Sequence, residues 1–385
     1  MEAVVLAGGF GTRLKHVVSD VPKPMAPVCG KPFLKYILDD LIEKGVRRIV
    51  LAVGYKAEVI ENHFGKRYRG AELVYSMEDT PLFTGGAIKK ALECCTQERV
   101  VIVNGDTYFD VDLAGMMDFA EQKDASLVIA TRRMENFDRY GVIQSEEGRI
   151  CAFLEKAPRK EGDINGGIYM IRRGLLADAP VKFSFETDFM EKKLHEVDMW
   201  TYASGGYFID IGIPEDYARA QADFIAKAAP NKAAFFDRDG TINIDVGYLH
   251  DTKDLRFIEG MPEFIRRFND CGYKVIVVTN QAGIARGYYT EAEMHALHDE
   301  MNRQLAEKGA HIDAFYFCPH HPDITGPCAC RKPEAGMFEQ AIREFDVDVA
   351  ASVMFGDKIW DIEAAAKVGV KGYIMEDQNG KNRKA

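Results

Sequence analysis

Long hydrophobic runs are missing from this chain of 385 residues. No apolar stretch reaches the ~18 residues that a membrane-spanning helix needs, so a helical membrane protein and a membrane partner are excluded. Basic character is also missing: 49 Lys and Arg face 60 Asp and Glu, a formal net charge of −11. A nucleic-acid partner bound through its backbone needs a basic surface, so that class is excluded as well. No basic segment precedes the apolar run in "MEAVVLAGGFGTRL", and glycines end it within a few residues. It reads as a first β-strand, not an export signal, and the chain is expected in the cytoplasm with reduced thiols. Internal repeats are absent too.

What is present fits a soluble globular protein, with 47% hydrophobic and 28% charged residues. The length exceeds one ordinary core, so two domains are expected. Short β-branched runs alternate with amphipathic helical stretches, the pattern of α/β domains with parallel sheets flanked by helices. "EAVVLAGG", "RRIVLAVGY", "ELVYSME", "RVVIVNGD" and "ASLVIATRR" read as strands of a first domain over residues 1–226. The small, polar residues 227–232 make a linker. A second domain over 233–376 repeats the alternation, from "AAFFDRD" to "SVMFGD", and 377–385 read as a flexible tail. Of eight cysteines, Cys29, Cys94, Cys95, Cys151 and Cys271 are scattered and read as buried apolar fillers. Cys318, Cys328 and Cys330 cluster with His320 and His321 in "CPHHPDITGPCACRKP". In a reducing compartment that composition points to a metal more than to a disulfide.

In "LAGGFGTRL", Leu6 and Ala7 end the strand, and Gly8, Gly9 and Gly11 let the backbone pass close to phosphate oxygens, with Thr12 and Arg13 following. Such a turn also fits a tight strand–helix connection. Lys23 lies between two prolines in "DVPKPM", which restrict the backbone beside its amine. Together these residues resemble the G-G-x-G-T-R-L and P-K-P signature of sugar-1-phosphate nucleotidyltransferases, over about residues 1–224. That resemblance implies an N-terminal Rossmann-like nucleotidyltransferase fold. By it, Thr84, Gly85 and Gly86 of "LFTGGAIKKAL" contact the base and cover the triphosphate. Asp106 of "VNGD" and Asp210 of "FIDIG" hold Mg²⁺, and Gly141, Glu155, Lys156, Asn165 and Gly166 line the sugar phosphate. Arg13 and Lys23 then supply catalytic counter-charge as a sugar 1-phosphate attacks the α-phosphorus. "NFDRYGVI" and "INGGIY" look most like heptose-1-phosphate guanylyltransferases. One departure is Phe83, where that pattern has Gly, which sets a bulkier side chain beside the nucleotide.

In "FFDRDGTIN", Asp237 and Asp239 stand two apart at a strand end, so both side chains point to one side. This resembles the D-x-D-G-T motif of the haloacid dehalogenase superfamily, whose further motifs follow in order. The resemblance implies a C-terminal HAD-like Rossmannoid fold. It makes Asp237 the nucleophile, Asp239 the general acid and base, Thr279 a phosphoryl ligand and Lys332 the neutralising cation. Asp357 joins Asp237 and Asp239 on Mg²⁺, with Asp361 a further carboxylate behind it. Cys318, His320, Cys328 and Cys330 suit a closed tetrahedral Zn²⁺ site of structural type, a staple for the loop that carries Arg331 and Lys332. His320 is preferred over His321. "DRDGTINIDVGYLHD" and "TNQAGIARGYY" look like D,D-heptose 1,7-bisphosphate phosphatases, which places Asp245, Gly247, Tyr248, Asn280, Gln281, Arg331 and Lys358 at the substrate.

The two resemblances meet in one sequence of reactions. Removing the 7-phosphate from heptose 1,7-bisphosphate yields heptose 1-phosphate, the acceptor for a nucleotidyl group. The expectation is therefore a bifunctional enzyme making GDP-D-glycero-α-D-manno-heptose from small-molecule substrates, with Mg²⁺ at both sites, and the sequence leaves room for a homo-oligomer. Two other readings start from the same motifs: a mannose-1-phosphate guanylyltransferase joined to a histidinol-phosphate phosphatase, and a sugar-nucleotide sensor with degenerate sites.

Overall fold

A computed structural model describes residues 1–8 and 21–375. Gly9, Gly11, Thr12 and Arg13 of the glycine-rich turn, and the tail 377–385, lie outside the described residues. The chain divides into two compact units, Met1–Ala228 and Ala229–Ala385. The first closes on a short helix, Ile225–Ala228.

Four parallel strands form one half of the first unit's ten-stranded sheet, in the order Arg99–Asn104, Glu2–Leu6, Arg48–Val53 and Ala71–Met77. Helices cover both faces of such a sheet, so its strands read as nearly continuous apolar runs. Ala3, Val4 and Val5 are fully buried in this way. The other half departs from the parallel expectation. The long strand Arg159–Arg172 runs antiparallel to both Arg99–Asn104 and Leu127–Phe137. Val142–Glu146 and Arg149–Leu154 are joined by Glu147 and Gly148, both at positive φ. A two-residue turn of that kind matches the strand twist and forces an antiparallel hairpin. The scattered cysteines also differ from expectation. Cys95 is buried, but Cys151 and Cys271 are exposed. Cys151 lies on the outward face of its strand, and Cys271 caps the helix Met261–Asp270.

In the second unit five strands are all parallel, in the order Ala314–Cys318, Lys274–Asn280, Ala233–Phe236, Val353–Gly356 and Lys371–Ile374. Chain order reverses about the first strand, Ala233–Phe236, whose carboxyl end therefore opens into the crevice where such sheets bind ligands. The helix Glu291–Ala306 begins at a reciprocal cap: Thr290 Oγ1 accepts from the Glu293 N–H, and Glu293 Oε2 accepts from the Thr290 N–H. Among the described residues, no helix is long and apolar enough to cross a membrane.

Glu2 is a buried carboxylate at the entrance to the first strand, 3% exposed. It accepts from the Thr96 N–H at 2.7 Å, the Thr96 hydroxyl at 2.8 Å and the Gln97 N–H at 2.8 Å. Burial pushes its carboxyl up, but Gln97, Thr96 and Arg48 together hold it below the ordinary value. A carboxylate of depressed pKa stabilises the fold above the ordinary glutamate range and ceases to do so as pH falls through the depressed value. Glu2→Ala is expected to cost about 2 kcal/mol at neutral pH, by leaving the 96–97 amides without acceptors. Calorimetry should show the transition of the first unit lowered and that of the second unmoved.

Candidate functional site

The carboxyl ends of the first unit's parallel strands open onto a cavity of about 720 Å³. Leu6, Gly8, Lys23, Glu78, Phe83, Thr84, Asn104 and Asp106 are in its wall. A second cavity, about 700 Å³, carries Gly141, Lys156, Asn165, Gly166 and Asp210. Asn104, Ser184 and Glu186 belong to both, so the two spaces adjoin. Asp106 and Asp210 meet at that junction because Thr107–Phe109 pairs antiparallel with Phe208–Asp210, setting Asp210 opposite Thr107. Gly105 permits the approach: a Cβ there would fall 2.4 Å from the Leu6 carbonyl oxygen.

Lys23 holds these acids together. The turn Lys23–Met25, flanked by Pro22 and Pro24, points its ammonium at Asp106, with which it is ion-paired, and at Asp210, 3.9 Å away. Burial raises the Asp210 carboxyl, Asp106 raises it further, and Lys23 opposes both. Two carboxylates facing one lysine leave a net negative charge that favours a further cation, so the pair fits Mg²⁺.

Other expected residues divide by placement. Thr84 donates to Glu186 Oε2 at 2.8 Å and accepts from the Phe185 N–H. Gly85 and Gly86 are buried against 181–183, where a Cβ on Gly85 would meet the Phe183 ring at 2.2 Å, so their bareness serves helix packing. Gly166 likewise packs on Phe109. Asn165 donates to Tyr169 and accepts from the Gly167 N–H. Glu155 is exposed and not in either cavity wall. Arg139, paired with Asp216 at 3.0 Å, and Glu186 were missed as site residues. Arg139 sits inside the quoted "NFDRYGVI", whereas Glu186 carries no sequence signal of its own.

In the second unit, Asp237 follows strand Ala233–Phe236 directly, and Asp357 follows Val353–Gly356. Lys332 reaches between them from the cysteine-bearing loop. Its ammonium lies 2.7 Å from Asp237 Oδ1, 2.6 Å from Asp361 Oδ1 and 2.7 Å from the Val278 carbonyl. Its backbone is gripped at both polar atoms by Asn280, whose Oδ1 accepts from the Lys332 N–H and whose Nδ2 donates to the Lys332 carbonyl. Burial pushes the Asp237 carboxyl up to about 7, against the pull of Lys332 and with a further push from Asp361. Burial also disfavours the Lys332 cation, but Asp237 and Asp361 outweigh it and raise the amine.

Among the described residues the carboxylates that converge as a cation-sized set are Asp237, Asp357 and Asp361. Asp239 is turned to Arg238, which donates to both its oxygens, and also accepts from Asn243 and Gln281. Arg238 overcomes burial and depresses the Asp239 carboxyl. Asp357 Oδ1 is buried without a hydrogen-bond partner, which suits a cation ligand. Gln281 is turned inward. It is 2% exposed, with Nε2 donating to Asp239 and Thr279 and Oε1 accepting from Arg238 and Tyr289. It positions the site from behind and has no polar atom left for a substrate. Asp245, Gly247 and Tyr248 lie on an exposed loop, where Tyr248 packs edge-on against Tyr288. Lys358 is ion-paired with Asp357, and Arg331 donates to the His320 carbonyl.

Cys318, His320, Cys328 and Cys330 converge at the end of strand Ala314–Cys318. Their Sγ–Sγ distances of 3.2, 3.4 and 3.6 Å are far longer than the ~2.05 Å of a disulfide. His320 Nδ1 lies 3.2 Å from Cys330 Sγ, while His321 bonds Arg286 and the Asp323 N–H instead. Three sulfurs and one imidazole nitrogen brought this close together are a donor set for a thiophilic, tetrahedral ion.

The family model for nucleotidyl transferases matches residues 2–227, and that for haloacid dehalogenase-like hydrolases matches residues 137–369. The chain belongs to both families. The hydrolase match begins inside the first unit, but strands Val142–Glu146, Arg149–Leu154, Arg159–Arg172 and Met199–Ala203 pair into that unit's sheet and the unit runs to Ala228, so the hydrolase unit is taken from Ala229. The transferase unit is similar to D-glycero-alpha-D-manno-heptose 1-phosphate guanylyltransferase of Aneurinibacillus thermoaerophilus, 48% identical over 58% of this chain and 98% of that protein. The hydrolase unit is similar to D-glycero-beta-D-manno-heptose-1,7-bisphosphate 7-phosphatase of Haemophilus ducreyi, 47% identical over 37% of this chain and 82% of that protein. Among solved structures, HddC from Yersinia pseudotuberculosis matches with TM-score 0.53 at 37% identity, covering 58% of this chain and 99% of that one. The same protein complexed with GMP-PN matches similarly.

Lys332→Met would leave Asp237 and Asp361 buried without their cation. It is expected to destabilise the hydrolase unit by about 3–5 kcal/mol. Adding Asp361→Asn should recover part of the loss, and thermal unfolding of both variants checks this.

Proposed function

We propose that this chain is a bifunctional enzyme of sugar-nucleotide synthesis. The hydrolase unit removes the 7-phosphate of D-glycero-D-manno-heptose 1,7-bisphosphate, and the transferase unit passes GMP from GTP to the heptose 1-phosphate, giving GDP-D-glycero-α-D-manno-heptose and pyrophosphate. The observation that carries this reading is that relatives of both units are named for consecutive heptose phosphates. It favours heptose over the mannose and histidinol-phosphate reading. The intact acids at both strand-end sites speak against a sensor.

In the hydrolase unit, Asp237 attacks phosphorus, and the bond to the sugar oxygen breaks as that oxygen takes a proton from Asp239. Water then attacks the aspartyl-phosphate, gives its proton to Asp239, and phosphate leaves. The grip of Arg238, Asn243 and Gln281 holds the Asp239 carboxyl below its ordinary value, which suits the second half-reaction, where it accepts; the first half-reaction draws on the protonated fraction of Asp239. Lys332 and Thr279 neutralise and bind the phosphoryl group, while Arg331, Lys358, Asp245, Gly247 and Tyr248 face the sugar. In the transferase unit, Lys156 and Arg139 hold the sugar phosphate as its oxygen attacks the α-phosphorus and pyrophosphate leaves from the larger cavity. No proton has to move in that step, so the protein's task is counter-charge and alignment, from Lys23 and Arg13. Mg²⁺ on Asp106 and Asp210, and on Asp237, Asp357 and Asp361, would supply the remaining positive charge against two approaching anions. Zn²⁺ on Cys318, His320, Cys328 and Cys330 would fix the loop that presents Arg331 and Lys332.

The guanylyltransferase relatives are named for the α-anomer and the phosphatase relatives for the β-anomer. The two steps join only if this hydrolase unit accepts the α-1,7-bisphosphate, so each anomer is to be supplied with Mg²⁺ and each triphosphate and followed by phosphorus NMR. Conversion of the α-anomer with GTP to GDP-heptose is expected; no product from either anomer sinks the reading. Asp237→Asn should abolish phosphate release yet leave transfer from supplied heptose 1-phosphate, and Asp106→Asn should do the reverse. Metal analysis should find zinc in the purified chain, and Cys330→Ser should remove it and lower phosphatase activity about 10–100-fold, with transfer retained.

A further inference from the structure

Phe83 combines two features that rarely occur together. Its backbone lies at φ +59°, in the left-handed region that favours glycine and is rarely taken by an aromatic residue. Its side chain is 60% exposed although it opens a helix, Phe83–Leu92, whose other apolar residues are largely buried. A lone exposed aromatic is ordinary, and so is an occasional strained turn. Both at once, in the wall of a cavity, mark a side chain held in place for something outside the fold.

The surrounding residues keep it there. Glu78 Oε2 accepts from the Leu82 N–H at 3.1 Å, closing the loop that leads into Phe83. The Leu82 carbonyl accepts from the Phe183 N–H at 3.2 Å, tying the same residue to the neighbouring segment. The Lys182 ammonium lies 4.8 Å from the Phe83 ring centroid, so the ring is steadied by a cation–π contact instead of by burial. The phosphate-facing groups Gly8, Lys23 and Asp106 line the same cavity.

We propose that Phe83 is the platform on which the base of the nucleoside triphosphate stacks, and that it favours purines over pyrimidines. The inference rests on the reading of this cavity as the triphosphate site. An aromatic ring attracts any base through its π face, and a purine covers more of the ring than a pyrimidine does. Glycine at this position would ease the backbone and remove the platform, so strain relief and lost binding should appear in the same variant.

The test uses the full chain and its Phe83→Gly and Phe83→Trp variants, with GTP, ATP, CTP and UTP as nucleotidyl donors to heptose 1-phosphate. Phe83→Gly is expected to raise KM for GTP about tenfold, with the loss on KM more than on kcat, and to narrow the preference for purines. Its thermal midpoint should not fall, which separates lost stacking from damaged folding. Phe83→Trp should restore a low KM. An unchanged KM for GTP in Phe83→Gly, with the parent chain active, overturns the stacking role. A parent chain that transfers from none of the four triphosphates overturns the reading of the cavity itself, and this inference with it.

Discussion

Acidic side chains forced together at strand ends, each group tempered by a single buried or half-buried lysine, are the constraint around which both units are organised. Lys23 stands between Asp106 and Asp210, and Lys332 between Asp237 and Asp361. In each case the acids outnumber the lysine, and burial raises an acid's pKa where that excess is concentrated. A fold would gain by replacing such clusters with apolar residues. Their retention makes sense if phosphate chemistry needs a site able to take up one further cation.

The two units reach this arrangement by different routes. The hydrolase unit uses neighbouring parallel strands, so that Asp237 and Asp357 are brought together by sheet order alone. The transferase unit needs an additional two-stranded ribbon to carry Asp210 back to Asp106, and a glycine where the ribbon crosses the first strand.

Residues adjacent to a strand's carboxyl end were legible in the sequence because strand and motif coincide: Asp106, Asp237, Thr279 and Asp357 all sit where an apolar run stops. The cysteine–histidine cluster was legible from spacing, and the choice of His320 followed once His321 was seen bonded to Arg286. What escaped depends on side-chain direction or on distant packing. D-x-D spacing places Asp237 and Asp239 together, but it does not reveal that buried Arg238 pairs with the Asp239 carboxylate or that Asp361 comes close to Asp237 and Asp357. Gln281 reads as a substrate ligand until its four partners are counted. The antiparallel half of the first sheet was hidden because Glu147–Gly148 is an unremarkable dipeptide whose turn geometry only the backbone displays.

Asn280 clasps Lys332 by both its amide hydrogen and its carbonyl, and Lys332 is two residues from Cys330. Thiol cluster, clasp and ammonium are thus links of one short chain, with no slack between them. A change at the sulfurs, their oxidation included, would reach the Lys332 ammonium through the short backbone they share. In the transferase unit the corresponding lysine, Lys23, is held instead between Pro22 and Pro24.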